Sequence, residues 1–303
     1  MTRPLSIGVI APSGYAADPV AFQSGLERLR SLGHAVKDFS AGVTRHLRFA
    51  ATDAERVAQI HAAARDPDIE VVIALRGGYG LSRLLPDIDF KLIADSGQRW
   101  VGHSDFTALQ LGLLATTGAG SVAGPMICDD FSRNDPSEFT HRHFWTCLSS
   151  PSHRIEVAAA GNPSLHTQGK LWGGNLAMLC HLAGTRWMPQ VEGGILFVED
   201  VNEHPYRVER MLLQLAHAGV LARQHALILG DFSGYKLSDY DNGYDFAAML
   251  EYLRKRLGLP VLQGLPFGHV RDKVTLAVGA DCKLASGADG FSLEMTGYPT
   301  LSP

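Results

Sequence analysis

The 303-residue chain contains few cysteines, no excess of charge and no long apolar run. Its four cysteines are widely spaced and form no Cys-x-x-Cys pair, which is typical of reduced thiols in the cytoplasm. The formal net charge of −4 is not the basic excess by which nucleic-acid-binding proteins neutralise phosphates. No window is apolar enough to span a bilayer, and the first residues lack the apolar core of a signal peptide. We expect a cytoplasmic protein without a nucleic-acid or membrane partner.

Motifs for metals and nucleotide cofactors are also missing. The chain has no His-Glu-x-x-His motif, and His141 and His143 are two positions apart on a predicted helix, where side chains diverge. The acidic loop at residues 239–245 lacks the spacing of a calcium-binding EF-hand. The glycine-rich residues 76–80 match neither a Walker loop nor a dinucleotide-binding motif. We therefore expect no metal and no cofactor.

The first 150 residues show the alternation of an α/β fold. The whole chain is 46% hydrophobic and 19% charged, a globular balance with length for two ordinary domains. Predicted strands lie at residues 5–11, 34–39, 69–75, 99–102 and 120–124, with helical patterns between them. This alternation predicts a doubly wound parallel sheet. Ligands of such sheets bind beyond the carboxyl ends of the strands.

The pattern changes after a Ser- and Pro-containing stretch at residues 149–152. Short strands are predicted at residues 153–157 and 164–171, and a buried strand at residues 194–198 precedes a helix. We therefore predict two domains, an N-terminal α/β domain over residues 1–150 and a C-terminal α+β domain over residues 151–303.

Ser104 lies where a predicted strand meets a predicted helix. A serine at such a corner has its hydroxyl clear of the sheet, and the free N–H groups of the helix point at the group that it attacks. The strand-to-helix elbow of serine hydrolases works in this way. The surrounding residues, Gly-His-Ser-Asp-Phe, depart from Gly-x-Ser-x-Gly because Phe106 replaces the second glycine. The alternative is that Ser104 caps the helix.

The glycine-rich loop at residues 76–80 follows the third predicted strand. Glycines allow backbone N–H groups to approach a ligand closely, although the loop is equally compatible with a plain turn. If Ser104 is a nucleophile, this loop is suited to supply one N–H of an oxyanion hole, and Asp105 the other.

A nucleophilic serine needs a base, and the base needs an acceptor that orients it. Glu199 and Asp200 end a predicted buried strand, although they could simply solvate its end. The candidate bases are His103, His204 and His269. His204 precedes a proline at a predicted helix start, which favours capping or packing, and a lone loop histidine such as His269 is usually just exposed. Local patterns do not decide among the three.

Taken together, several segments resemble the L,D-carboxypeptidases, the muramoyltetrapeptide carboxypeptidase family (serine peptidase family S66). The resemblance begins near residue 10 and extends to the last predicted strand, and each motif is weak by itself whereas the combination is specific. The matching segments occur in the family's order at residues 76–80, 102–107, 171–176, 199–210 and 268–269.

The resemblance implies a serine peptidase with the triad order Ser, Glu, His. Residue by residue, Ser104 matches the nucleophile, Glu199 the carboxylate and His269 the base. It also implies that the serine lies in the N-terminal domain and the other two residues in the C-terminal domain, with the active site in the groove between them. Members are typically cytoplasmic and metal-free, and we expect a homodimer.

The resemblance further implies the substrate. This would be the muropeptide tetrapeptide L-Ala-γ-D-Glu-diamino acid-D-Ala, whose terminal D-alanine is removed in peptidoglycan recycling. We expect the N–H groups of Gly78 and Asp105 to hold the oxyanion. Arg76, with Gly77 beside it, is the candidate for binding a substrate carboxylate, although a structural arginine is an equal alternative. Asn175 is a candidate for binding peptide backbone.

Two other functions compete with this one. Some members of the same family hydrolyse peptidyl-nucleotide antibiotics and confer self-immunity. The chain could also be a non-catalytic α/β ligand-binding module that uses the loop at residues 76–80. Because a binding module has no reason to bring Ser104, Glu199 and His269 within hydrogen-bond reach, their spatial relation discriminates between an enzyme and a module.

Overall fold

The computed structural model describes residues 3–301, and strands alternate with helices along its N-terminal half. The strands of this half are β1 (Ser6–Ile10), β2 (Ala35–Asp38), β3 (Val71–Ala74), β4 (Arg99–Gly102) and β5 (Ser121–Ala123). Its helices are α1 (Pro19–Ser31), α2 (Asp53–Arg65), α3 (Leu81–Leu84), α4 (Phe90–Asp95), α5 (Thr107–Thr117) and α6 (Glu138–Ser149).

The C-terminal half contains more strand than helix. Its strands are β6 (Ser152–Ala158), β7 (Leu165–Asn175), β8 (Gly194–Val201), β9 (Gln224–Ser233), β10 (Val261–Gln263), β11 (Leu276–Val278), β12 (Asp281–Ser286) and β13 (Gly290–Thr296). Its helices are α7 (Leu176–Leu182), α8 (Pro205–His217) and α9 (Phe246–Arg256).

The first sheet has the strand order β2-β1-β3-β4-β5-β11. Strands β1 to β5 pair in parallel, and β11 joins β5 in the antiparallel direction. All four residues of β3 are buried, as expected for a parallel strand covered on both faces. The strand order reverses between β1 and β3, and such switch points form ligand crevices at the carboxyl ends. The predicted doubly wound fold is confirmed.

The second sheet has the order β10-β9-β8-β7-β12-β13-β6. Strands β7 to β10 are parallel, whereas β7, β12, β13 and β6 pair in the antiparallel direction. Exposed and buried residues alternate along β6, which is the pattern of a strand with one solvated face. This mixed sheet confirms the predicted second, α+β part of the fold.

Local capping explains where several helices begin. The Thr52 hydroxyl accepts from the backbone N–H of Glu55, whose carboxylate accepts from the Thr52 N–H, so α2 begins with a capping box. His204 caps α8, with Pro205 at the first helical position. The capping role favoured for His204 is therefore confirmed.

Strand β7 is longer than predicted. The predicted strand ended at residue 171, but β7 continues to Asn175 through two glycines with positive φ. A Cβ on Gly173 would lie 1.8 Å from the Phe197 carbonyl oxygen of β8, so only glycine permits this close pairing. As a result β7 and β8 end side by side, with Asn175 opposite Glu199.

The two sheets share one large apolar core. The largest buried cluster contains Leu109 and Leu111 of α5 together with Leu176 and Leu179 of α7. The segment between β10 and β11 crosses from the second sheet to the first. The division near residue 150 stays a prediction, because the first sheet takes its edge strand from the C-terminal half. Within residues 3–301 there is no helix long and apolar enough to cross a membrane.

Candidate active site

Ser104 occupies a strained corner between β4 and α5. Its φ is +62°, a left-handed conformation that is costly for a residue with a side chain and that recurs at functional turns. It begins a short 3₁₀ turn that leads directly into α5. A Cβ on Gly102 would lie 2.7 Å from the ring of Phe106. The corner therefore needs glycine at 102, because phenylalanine fills the space after the serine.

The glycine-rich loop after β3 lies against this serine. A Cβ on Gly77 would lie 2.8 Å from Ser104 Oγ and 3.5 Å from the backbone nitrogen of Asp105. Gly78 is exposed and has a φ of +114°. The loop is thus compatible with an oxyanion hole beside the hydroxyl, and the roles of the Gly78 and Asp105 N–H groups stay a prediction.

The buried side chain of Asp105 joins three loops at the carboxyl edge of the first sheet. Its Oδ2 accepts from the Ser13 hydroxyl after β1 and, at 2.9 Å, from the backbone N–H of Leu81. Burial raises the pKa of Asp105, and these two hydrogen bonds offset part of that rise. Ser13 is not among the predicted site residues, because its only signal in the sequence is a Pro-Ser-Gly turn after the first strand.

Glu199 approaches from the second sheet, near the end of β8, and its side chain is fully buried. The Asn175 amide donates to Glu199 Oε1 at 3.2 Å and to Asp200 Oδ1 at 3.0 Å. Burial and the charge of Glu199 raise the pKa of Asp200 to about 6. The Asn175 backbone N–H donates to Thr107 Oγ1 at 3.0 Å, which ties this strand end to α5.

His269 lies between Ser104 and Glu199. Its Nδ1 is 2.8 Å from Glu199 Oε2 and its Nε2 is 3.0 Å from Ser104 Oγ. The preceding Gly268 has a φ of +139°, and a Cβ there would lie 3.1 Å from Glu199 Oε2. Three polar side chains far apart in sequence therefore form one hydrogen-bonded chain, the arrangement that an enzyme needs and a binding module does not.

Two family models match the chain. One, described as LD-carboxypeptidase N-terminal domain, matches residues 7–124, and the other, LD-carboxypeptidase C-terminal domain, matches residues 168–284. The chain belongs to the LD-carboxypeptidase family, serine peptidase family S66. The resemblance stated from the motifs is thereby confirmed.

Individual relatives of this LD-carboxypeptidase family member agree with that assignment. The crystal structure of muramoyltetrapeptide carboxypeptidase from Oxalobacter formigenes is 54% identical, with a TM-score of 0.94 over 97% of this chain and 100% of that one. A probable murein peptide carboxypeptidase of Bacillus subtilis is 30% identical over 91% of this chain and 87% of its own. The Escherichia coli microcin C7 self-immunity protein is 27% identical over 80% of this chain and 78% of its own.

Within this LD-carboxypeptidase fold, the other two histidine candidates have different contacts. His103 Nδ1 is 2.9 Å from the Gly124 carbonyl oxygen. Burial, followed by the charges of Lys273 and His269, lowers the pKa of His103 to about 3, so this ring stays neutral. The His204 Nε2 pairs with Asp241 at 3.1 Å. Of these three described histidines, His269 alone has a ring nitrogen hydrogen-bonded to Ser104 Oγ.

Opposing effects act on the charge of His269. Burial lowers its pKa, but the hydrogen bond and negative charge of Glu199 outweigh this, and the net pKa is raised. The imidazolium form is therefore favoured once a proton arrives. This is the electrostatic requirement for a base that takes a proton from a serine.

The predicted substrate-binding residues lie in two different places. Arg76 is half-buried beside Gly77, and its Nη1 donates to the Tyr15 carbonyl oxygen at 3.4 Å. The Asn175 side chain is buried, and besides its two carboxylate contacts its Oδ1 accepts from the Met178 N–H. The substrate-binding roles of these residues stay predictions. The contacts of Asn175 indicate that its side chain supports Glu199. Its pairing across two strands has no local signal in the sequence.

Proposed function

We propose that this protein is a serine L,D-carboxypeptidase that removes the terminal D-alanine from muropeptide tetrapeptides. The observation that carries the proposal is the continuous contact from Ser104 through His269 to Glu199. Family membership and the 54% identity to a muramoyltetrapeptide carboxypeptidase support the substrate class. The scissile bond would join the L-centre of the diamino acid to D-alanine.

In the first half of the reaction, Ser104 Oγ attacks the carbonyl carbon of that bond. His269 Nε2 accepts the hydroxyl proton, while Glu199 holds the Nδ1–H and stabilises the imidazolium that forms. The fixed position of Glu199 matters because its buried side chain is shielded from bulk solvent, which would otherwise compete for its hydrogen bond. The negative charge on the carbonyl oxygen would be held by the N–H groups of Gly78 and Asp105.

In the second half, His269 returns its proton to the amine of D-alanine, which leaves. A water molecule then attacks the acyl-serine, and His269 takes its proton and passes it to Ser104 Oγ. The products are the tripeptide, the free D-alanine and the regenerated hydroxyl. Among the protein groups, only Ser104 and His269 gain or lose a proton.

Substrate selection would involve Arg76, whose guanidinium fork suits a carboxylate. Gly77 would allow the peptide to approach the serine, because a side chain at that position would occupy the space beside Ser104 Oγ. Asn175 would support Glu199 through its amide, and its contact with the peptide backbone stays a prediction. By family analogy we also propose a cytoplasmic homodimer that acts in peptidoglycan recycling.

The test is D-alanine release from L-Ala-γ-D-Glu-meso-diaminopimelate-D-Ala by the wild type and by Ser104→Ala. Loss of the serine is expected to lower kcat by roughly 10⁴- to 10⁶-fold. A pentapeptide with a D,D-linked terminus is the control substrate and should not be cleaved. Release by Ser104→Ala at the wild-type rate would contradict the assignment of the nucleophile.

The 27% identity to the microcin C7 self-immunity protein makes a peptidyl-nucleotide hydrolase the second candidate. A folded wild type that releases no D-alanine but hydrolyses an aminoacyl sulfamoyl adenosine would establish that candidate. Hydrolysis of neither substrate, together with an unreactive Ser104, would favour a ligand-binding module.

A further inference from the structure

The segment that carries His269 bridges the two sheets. It leaves the second sheet after β10 and enters the first as β11. Before the histidine, it is held to the second sheet, since the Phe267 carbonyl accepts from the Asp231 N–H at 2.8 Å and the Leu265 N–H donates to Leu229. Glu199 belongs to this same sheet. His269 and Glu199 are therefore both attached to the second sheet.

After the histidine, the segment closes on itself through the Val274 N–H and the Pro266 carbonyl oxygen at 2.8 Å, and its further polar contacts are to the N-terminal half of the chain. The ammonium of Lys273 pairs with Asp130, and their side chains are only 1% and 2% exposed. The other oxygen of Asp130 accepts from the Met126 N–H at 2.8 Å. An ion pair so deeply buried is costly to desolvate and adds little net stability compared with apolar residues. Its presence here calls for a reason other than stability.

Thr140 of α6 adds a second attachment beside this pair. Its hydroxyl accepts from the Lys273 backbone N–H at 2.9 Å and donates to the Arg271 carbonyl oxygen at 3.0 Å. Thr140 is 1% exposed, so water cannot replace either bond. The backbone of residues 271–273 is thus held at two points four and two residues beyond the histidine.

We propose that Asp130, Thr140 and Lys273, here called the crossover clamp, set the distance between His269 and Ser104. They are positioning residues, which act through the loop and do not touch the substrate. Because His269 and Glu199 are attached to the same sheet, loss of the clamp should leave that contact intact and widen only the gap to Ser104. This inference rests on the proposed serine peptidase chemistry.

The first test compares Thr140→Val with Thr140→Ser. Valine keeps the shape of the side chain but loses both hydrogen bonds, whereas serine keeps the hydroxyl and loses only a methyl group. We expect Thr140→Val to lower kcat for D-alanine release by about 10- to 100-fold, the effect of a small misplacement of a reacting group, with KM unchanged. The acidic limb of the pH profile should stay in place, and Thr140→Ser should recover most of the rate.

The second test replaces both charges in Asp130→Asn/Lys273→Met, which leaves no unpaired buried charge. Asparagine keeps an acceptor for the Met126 N–H. We expect the thermal midpoint to stay within a few degrees of the wild type and kcat to remain about 10-fold or more below it. The control is Asp135→Asn, at an exposed ion pair to Arg271 that joins the same two segments, and it should change neither quantity.

A third readout does not depend on the substrate. The rate at which a small fluorophosphonate modifies Ser104, followed by intact mass, should fall in parallel with kcat in Thr140→Val and in the double variant. If the wild type is labelled but releases no D-alanine, the substrate assignment fails and the labelling rates still test the clamp. The clamp is wrong if both variants are labelled at the wild-type rate, if the acidic limb moves with Thr140→Val, or if the wild type is not labelled at all.

Discussion

At the scale of single residues, a buried carboxylate controls the charge of His269. Glu199 has no exposed surface, so its hydrogen bond to the imidazole is not in competition with water and acts at a low local dielectric. The same burial lowers the pKa of the histidine by desolvation, and Glu199 reverses the sign of the net shift. The activity at a given pH should therefore depend on this one contact.

Replacing Glu199 with glutamine tests that dependence. The reaction requires neutral His269, so the rate falls as the pH drops through the pKa of this histidine. That pKa is raised above its ordinary value of about 6.5. In Glu199→Gln, burial still lowers the pKa of His269, but the negative charge that raises this pKa is gone. We expect the acidic limb of kcat/KM to move to lower pH and kcat to fall by about 10²- to 10⁴-fold. The measurement is the pH profile of D-alanine release.

A matched control lies near the opposite end of the same strand. Glu192 precedes β8 and has an exposed side chain that pairs with Arg223, so Glu192→Gln should leave both the limb and the rate unchanged. An acidic limb that does not move in Glu199→Gln would show that another group sets the pKa of His269.

At the scale of elements, the paired strands β7 and β8 place one amide between two carboxylates. Asn175 donates to Glu199 and Asp200 and also caps α7 through its amide oxygen. The close pairing of the two strands depends on Gly173, where any side chain would collide with Phe197. One amide thus forms hydrogen bonds with two buried carboxylates and with one helix end. The end of β7 should therefore be sensitive to substitution.

We expect Asn175→Ala to destabilise the protein by about 1–3 kcal/mol through the lost cap and the lost amide hydrogen bonds to the two carboxylates. The loss should be larger at pH 8 than at pH 5. The folded-state pKa of Asp200 is about 6, above its ordinary value of about 4. Its ionisation therefore costs stability as the pH rises from about 4 through 6, and removal of the amide enlarges that cost. The free energy of unfolding in urea, determined at pH 5 and pH 8 for both proteins, measures this difference.

Asn162 offers the comparison for this experiment. It is also buried, but its amide donates to the backbone carbonyls of Ala159 and Gln263 and not to carboxylates. Asn162→Ala should destabilise by a similar amount at both pH values. Equal losses at pH 5 and pH 8 for Asn175→Ala would contradict the electrostatic role given to Asn175.

At the scale of the whole molecule, the two halves of the chain complete each other. Strand β11 comes from the C-terminal half but forms the edge of the first sheet, with Leu276 and Val278 fully buried. The largest apolar cluster also draws on both halves. Without the C-terminal half, β5 would become an exposed edge and α5 would lose its covering helix, and both changes expose apolar surface.

We therefore expect residues 1–150 alone not to reach the native fold, and the full chain to unfold in one cooperative transition. Guanidinium unfolding followed by circular dichroism and by tryptophan fluorescence should give coincident curves for the full chain and no sigmoidal transition for the fragment. Mixing residues 1–150 with residues 151–303 should restore structure. A cooperative transition in the isolated fragment would contradict the shared core and favour an autonomous domain.

Local patterns predicted much of the first sheet. Strand β4 matches its predicted bounds, and β1, β3 and β5 lie within theirs. The capping box of α2 is a local pattern of the same kind, because Thr52 and Glu55 are three residues apart and act within one turn. The corner that holds Ser104 was predicted for the same reason, since a strand, a turn and a helix follow one another directly. Helix α9 and the long end of β7 were not predicted.

Contacts distant in sequence had no such local signal. Ser104 and His269 are 165 positions apart, and Glu199 and His269 are 70 apart. The residues alone left three histidines open, and only family resemblance favoured His269. The pairing of Asn175 with Glu199, the edge position of β11 and the burial of Lys273 against Asp130 follow from how the two sheets pack. Periodicity and helix caps depend on residues a few positions apart, so the sequence by itself determines them. The contact between a buried carboxylate and a histidine distant in sequence forms only when the tertiary structure packs the two segments together.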